Sequence, residues 1–413
     1  MRAGHAVRAG LALLVTVATT ALVLLPGAGT ARADGAGIRA RQWGLDAINA
    51  PEAWRTTKGK GVTVAVLDTG VDSEHPDLVG GVLKGKDFIG FGAQPGDPDW
   101  ARHGTAMAAI IAGRGHGAGR SEGVIGVAPE AQILPVRVLL EDADPERSRA
   151  RGARGGALAE GIRWAVDHGA DVINLSLGDD SVSAHPEPEE DAAVRYALDK
   201  GVVVVASAGN GGRKGDRVSY PAAYPGVIAV TAVNRQGERA SFSTRRWYAT
   251  VSAPGEDVIV ANPDRHYYEG WGTSTAAAFV SGAVALVKAA HPDLSPAQIK
   301  QLLSDTAQNT PPGGRNDDLG TGIVDPAAAI ELGANLKPQP QRPRALAYPD
   351  EYFGPGPDPA ERGNGWLVTT AAVLGVVFLV AAVVLYRGPR RPQVPPGPPT
   401  AVAPPTGTGM PGS

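Results

Sequence analysis

The chain has 413 residues, with 39 Lys and Arg against 42 Asp and Glu and a formal charge of −3. That balance gives no nucleic-acid footprint, which needs clustered positive charge. The absence of cysteine removes disulfide scaffolds, thiol nucleophiles and Cys-ligated zinc together.

Residues 1–33 read as a secretory signal: Arg2 and Arg8 open it, 11–25 is an apolar run, and Ala31-Arg32-Ala33 is a cleavage site before Asp34. The alternative is an uncleaved N-terminal anchor, and the globular region is exported on either reading. Residues 34–45 form a short extension. From 46 to 333 two kinds of segment alternate. Short β-branched runs at 62–67, 133–139, 172–177, 202–206 and 227–233 are almost continuously apolar, as strands buried on both faces of a parallel sheet are. Helical patterns fall between them, after His103 and over 156–168, 191–199 and 275–290. A further helix is signalled by Ser295 as N-cap, Pro296 at its first position and Gln298 closing a capping box. The βαβα order predicts an α/β fold with a doubly wound, mostly parallel sheet. Ligands of such sheets collect where strands end.

Four residues near such ends could carry chemistry, and each also has a plain explanation. Asp68, in Asp68-Thr69-Gly70, could be half of an aspartic-protease dyad, but the sequence has no second Asp-Thr/Ser-Gly. Its default reading is a cap on the next turn. His103 opens His103-Gly104-Thr105 before a helix of small apolar residues, where it can face a cleft. Taken alone it is one of eight histidines, and His75, His168 and His291 read as structural. Asn210 closes a strand beside Gly211 and Gly212, as a turn residue would, though its amide could point at a reacting carbonyl. Ser274, in Gly272-Thr273-Ser274, lies in the first turn of a helix, where N–H groups favour developing negative charge; the simpler reading is an N-cap. Residues 80–86 spell Gly-x-x-x-x-Gly-Lys, but Asp87 comes next and no apolar helix does, so no P-loop is assigned. The charged stretch 141–156 reads as a surface loop, with a self-processing site or a partner contact as alternatives.

Residues 334–365 carry seven prolines, at 338, 340, 343, 349, 355, 357 and 359, and read as a semi-rigid linker. Residues 366–386 hold no charge and span about 31 Å as a helix, one hydrocarbon core. Arg387, Arg390 and Arg391 come at once after it. The positive-inside rule therefore places the Pro-rich tail 387–413 in the cytoplasm and the globular domain outside, on a single-pass anchor.

Asp68, His103, Asn210 and Ser274, in that order and with those flanks, resemble the subtilisin-like serine proteases, which have the Asp…His…Ser order. The resemblance runs from Gln42-Trp43-Gly44-Leu45 to about Gly333. It implies a serine endopeptidase in which Ser274 is the nucleophile, His103 the general base and Asp68 the residue that orients the imidazole. Asn210 and the Ser274 N–H would form the oxyanion hole. It also implies that Leu175, Ser176, Leu177 and Gly178 form an edge strand aligning an extended peptide, and that Ser219, before Tyr220-Pro221, belongs to the P1 pocket. Asp179 and Asp180 could favour basic residues near the scissile bond. No cofactor is implied. Asp77 matches a calcium-ligating position of some members, without a visible set of partner oxygens. Departures are Thr275 for the usual methionine, Ala278 for a proline and Ala109 for a glycine. The short extension, Pro-rich linker and single span further resemble the mycosins, membrane-anchored subtilases associated with type VII secretion. A membrane secretion complex is then the expected partner. Alternatives are a structural subunit of that complex with dispensable protease activity, and a general surface protease.

Overall fold

The computed structural model describes residues 35–181 and 184–341. The expected signal 1–33, the span 366–386 and the tail 387–413 lie outside the described residues, as does most of the linker.

Seven strands, β1 (Thr63–Asp68), β2 (Lys86–Asp87), β5 (Gln132–Arg137), β6 (Val172–Leu175), β7 (Val203–Ser207), β8 (Ile228–Val233) and β9 (Ala249–Pro254), form the main sheet. Their order across it is β2-β5-β1-β6-β7-β8-β9. Every pairing within it is parallel. Two antiparallel ribbons accompany it, β3 (Arg114–His116) with β4 (Glu122–Ile125) and β10 (Val258–Ala261) with β11 (Tyr267–Gly270). The five strands expected from the apolar runs are present within one or two residues. β2, β9 and the ribbons were not expected from the sequence. β11 is half exposed, so it lacks the continuous apolar run that marks a two-sided strand.

Alternation along each strand feeds two cores. In β1, Val64 and Val66 join one cluster while Ala65 and Leu67 join the other. In β7 the division is Val203 and Val205 against Val204 and Ala206. The first face is covered by helices Arg102–Ala112, Thr273–Ala290 and Pro296–Asp305, the second by Ala157–Asp167 and Pro188–Asp199. This is the doubly wound arrangement the βαβα order predicts. Full burial of each Val or Ile contributes roughly 1.5–3 kcal/mol, so both faces are needed. Helix Thr273–Ala290 is long and apolar enough to cross a membrane, yet it is mostly buried inside the domain. Its Ala, Gly and Ser positions let it lie close against β6 to β9. Helix Pro296–Asp305 carries the expected capping box between Ser295 and Gln298.

Residues 38–45 belong to this core: Ile38 and Leu45 are buried in the first cluster. The Arg39 side chain donates to the carbonyl of Gly123, and the Gln42 side-chain amide donates to the Ile125 carbonyl and accepts from the Ile125 N–H.

β1 and β6 are neighbours, but the helix after β1 covers one face and the helix after β6 covers the other. The chain parts there, leaving a crevice beyond the carboxyl ends of the two strands.

Candidate active site

Asp68 is the last residue of β1 and is fully buried. His103 stands in the first turn of helix Arg102–Ala112, and its Nδ1 donates to both carboxylate oxygens of Asp68, at 2.8 and 2.9 Å. A carboxylate accepts only, so in the neutral ring this pairing puts the proton on Nδ1 and leaves Nε2 with a lone pair. The approach needs Gly104, because a Cβ there would overlap the Gly70 carbonyl oxygen. Burial works against the charged ring, but the charge and hydrogen bond of Asp68, with Glu141 and Asp142 beyond, outweigh it and raise His103 to about 9.

Ser274 stands in the first turn of the long helix Thr273–Ala290. Its hydroxyl donates to the Ser176 carbonyl at 3.0 Å, and the Ser176 hydroxyl donates back to the Ser274 carbonyl at 2.9 Å. Ser176 lies just past the end of β6, and β6 neighbours β1, so Ser274 and Asp68 sit over adjacent strand ends about 4.8 Å apart. Beneath them lies a buried polar chain that the sequence reading missed. Asn174 donates to Ser176 Oγ at 3.0 Å and accepts from Ser281 at 2.9 Å. Its sequence signal is an asparagine inside the apolar strand Val172-Ile173-Asn174-Leu175, since a buried polar side chain needs a reason.

Asn210 joins the same end of the sheet. Its Oδ1 accepts from the Thr273 N–H at 2.9 Å and the Thr273 hydroxyl at 3.0 Å. The oxygen being committed, the amide nitrogen is left as a donor. A Cβ placed on Gly272 would lie 3.7 Å from Asn210 Nδ2 and 3.6 Å from the Ser274 nitrogen. Two N–H donors therefore border one small space beside the serine. Such a space can receive a developing oxyanion. Thr275 closes the turn, its hydroxyl donating to the Gly272 carbonyl at 2.8 Å.

Leu175 to Gly178 need a correction. Leu175 lies inside the sheet, where β6 pairs with β1 on one side and Leu175 itself with Ala206 of β7 on the other; it is fully buried. It is not on an edge, and its side chain is closed to a substrate. Only the continuation beyond β6 escapes the sheet: Ser176 is buried, Leu177 half-buried and Gly178 exposed. The strands diverge there, which apolarity alone does not reveal. Ser219 is buried against Gly178, whose added Cβ would come within 2.6 Å of its hydroxyl. The Asp180 carboxylate lies near Gly211, whereas the exposed Asp179 pairs through its backbone with Tyr220.

Asp77 does not suit calcium. It is fully buried, and its carboxylate already accepts from His116 Nδ1 at 2.6 Å, the Val124 N–H at 3.0 Å and the Tyr267 hydroxyl at 2.8 Å. Calcium takes six to eight oxygen lone pairs, whereas these neighbours aim protons at the carboxylate.

The model of the subtilase family matches residues 59–322 of the chain. The chain belongs to the subtilase family. Subtilisin BL of Lederbergia lenta is 40% identical over 291 residues, covering 70% of this chain and 97% of that protein. The thermostable alkaline protease of Halalkalibacterium halodurans is 41% identical over 266 residues, 64% of this chain and 67% of its own length. Among solved structures, MycP1 from Mycobacterium smegmatis superposes with a TM-score of 0.61 at 31% identity, covering 74% of this chain and 88% of that one. The MycP3 protease of the type VII (ESX-3) secretion system gives 0.59 at 32% identity, with 72% and 92% covered. The subtilase is thus a serine endopeptidase by family, and it resembles the mycosins in structure.

Proposed function

We propose that this subtilase cleaves exported proteins through a triad of Asp68, His103 and Ser274, with Asn210 and the Ser274 N–H as oxyanion donors. The observation that carries the reading is the pairing of His103 with Asp68, one strand away from a serine beside which the Asn210 Nδ2 and Ser274 N donors border one space. Rotation of the Ser274 side chain from the Ser176 carbonyl toward His103 Nε2 lets the ring take the hydroxyl proton as oxygen attacks the peptide carbonyl. Asp68 stabilises the imidazolium, and the two donors stabilise the oxyanion. Collapse expels the amine, which receives the proton from His103. Water, activated by the same base, then hydrolyses the acyl-enzyme. Ser176 to Gly178 would align the peptide backbone, while Ser219, fully buried behind Gly178, would support the P1 pocket rather than line it.

The cellular setting is part of the same proposal. Residues 366–386 would anchor the enzyme with its catalytic domain outside the cell, and the likeness to MycP1 and MycP3 supports work beside a type VII secretion complex. The test is N-terminal mass spectrometry of exported proteins from wild-type and Ser274→Ala strains. The new N-termini should vanish in the variant; identical termini in both would refute the proposal. If export stops on deletion but stays normal in Ser274→Ala, a structural role dominates.

The general base must be neutral to act. With His103 raised to about 9, kcat/KM should climb through the alkaline range rather than level off above pH 6.5. A pH profile on a peptide substrate checks this, and a plateau reached by pH 7 would contradict it.

A further inference from the structure

The helix that carries His103 has no cap of its own. Its N-cap is Ala101, at φ 52°, without a side-chain acceptor. The first N–H groups of a helix need acceptors from elsewhere. That of His103 finds one 38 residues downstream, donating to Glu141 Oε1 at 2.8 Å. The Thr69 hydroxyl lies beside the same carboxylate and favours its charged form. Thr69 Oγ1 accepts the Gly104 N–H at 3.1 Å, and the Thr69 N–H donates to Asp68 Oδ1 at 2.7 Å. One half-buried carboxylate therefore ties the backbone of the base to the strand end that holds the acid.

We infer that Glu141 is a positioning residue for the reaction, holding the His103 backbone in register with Asp68 and, as an anion, favouring the imidazolium formed during attack. The inference rests on the triad proposed above. Glu141 is itself held from both sides, because Arg147 donates to the Leu140 carbonyl and pairs with Asp142 at 2.7 Å. The charged loop read as mere surface is thus joined to the active site. The groups whose charge acts on the His103 ring are Asp68 from β1 and Glu141 and Asp142 from this loop. Burial raises the Glu141 carboxyl, opposed by the Thr69 hydroxyl and by the His103 N–H.

The test compares wild type, Glu141→Ala, Glu141→Gln and Ser274→Ala of the full-length chain on one peptide substrate. Misplacing a reacting group by about 1 Å can cost about a hundredfold. Glu141→Ala should therefore lower kcat at least about tenfold, with KM within about twofold. Glu141→Gln keeps an acceptor for the His103 N–H, so kcat should stay within about threefold of wild type. Its acid limb of kcat/KM should move to lower pH by about half a unit, since an anion beside the imidazolium is gone. A purely structural cap would leave that limb in place. Wild-type kcat in Glu141→Ala, or an unshifted limb in Glu141→Gln, overturns the inference; the glutamine variant decides alone if the alanine variant fails to fold. Hydrolysis that persists in Ser274→Ala would instead bring down the triad itself.

Discussion

Replacing Ser274 by alanine should abolish peptide hydrolysis, with kcat falling about a millionfold, the loss known for subtilisin, a member of the same family. The variant removes one oxygen from a half-buried position. Its hydrogen bond to the Ser176 carbonyl is lost, but the carbonyl of residue 274 still accepts from the Ser176 hydroxyl. The buried chain through Asn174 and Ser281 is unaffected. The melting temperature should therefore stay within a few degrees of wild type. A fluorogenic peptide assay beside a thermal melt separates the two effects. Substantial hydrolysis by a folded Ser274→Ala protein would mean that another group is the nucleophile.

Gly272→Ala should be nearly as informative. The new methyl would occupy the space bordered by Asn210 Nδ2 and the Ser274 N–H, at 3.7 and 3.6 Å. An oxyanion sits about 3 Å from such donors, so it and the methyl cannot share the space. Losing one donor of an oxyanion hole costs about 10²–10³ in kcat, a figure itself taken from subtilisin's asparagine, and obstructing both should cost at least that. Gly272 also has φ +146°, a conformation that strains an alanine by about 1–3 kcal/mol. The expected result is a folded, somewhat less stable protein whose kcat falls at least about a hundredfold while KM changes little. Steady-state kinetics with a melting curve would show it. A kcat within a few fold of wild type would place the oxyanion elsewhere.

Both expectations draw on groups of unequal visibility in the sequence. Asp68, His103 and Ser274 stand out because short motifs flank them, and those flanks have local causes. Gly104 is glycine because the histidine helix presses on the Gly70 carbonyl, and Gly272 because a side chain would fill the space beside the serine. Glu141, Asn174 and Ser281 carry no such flanks. Their partners lie 38 and 107 residues away, so only the folded chain shows what they bond. The reading of 141–156 as a surface loop rests on its charge, and charge alone does not tell which carboxylate turns inward.

The amino-acid order by itself determined the alternation of strands and helices, the two-sided apolar strands, the capped helix at Ser295 and the three motifs. Each depends on residues that meet within a few positions of one another. Only the tertiary structure decided that β6 is internal, that Asp77 spends its lone pairs on His116, Val124 and Tyr267, and that Glu141 caps the histidine helix. Those outcomes depend on which distant segments meet and on whether a buried polar atom finds a donor or an acceptor there, which becomes definite only when the sheet closes and water leaves.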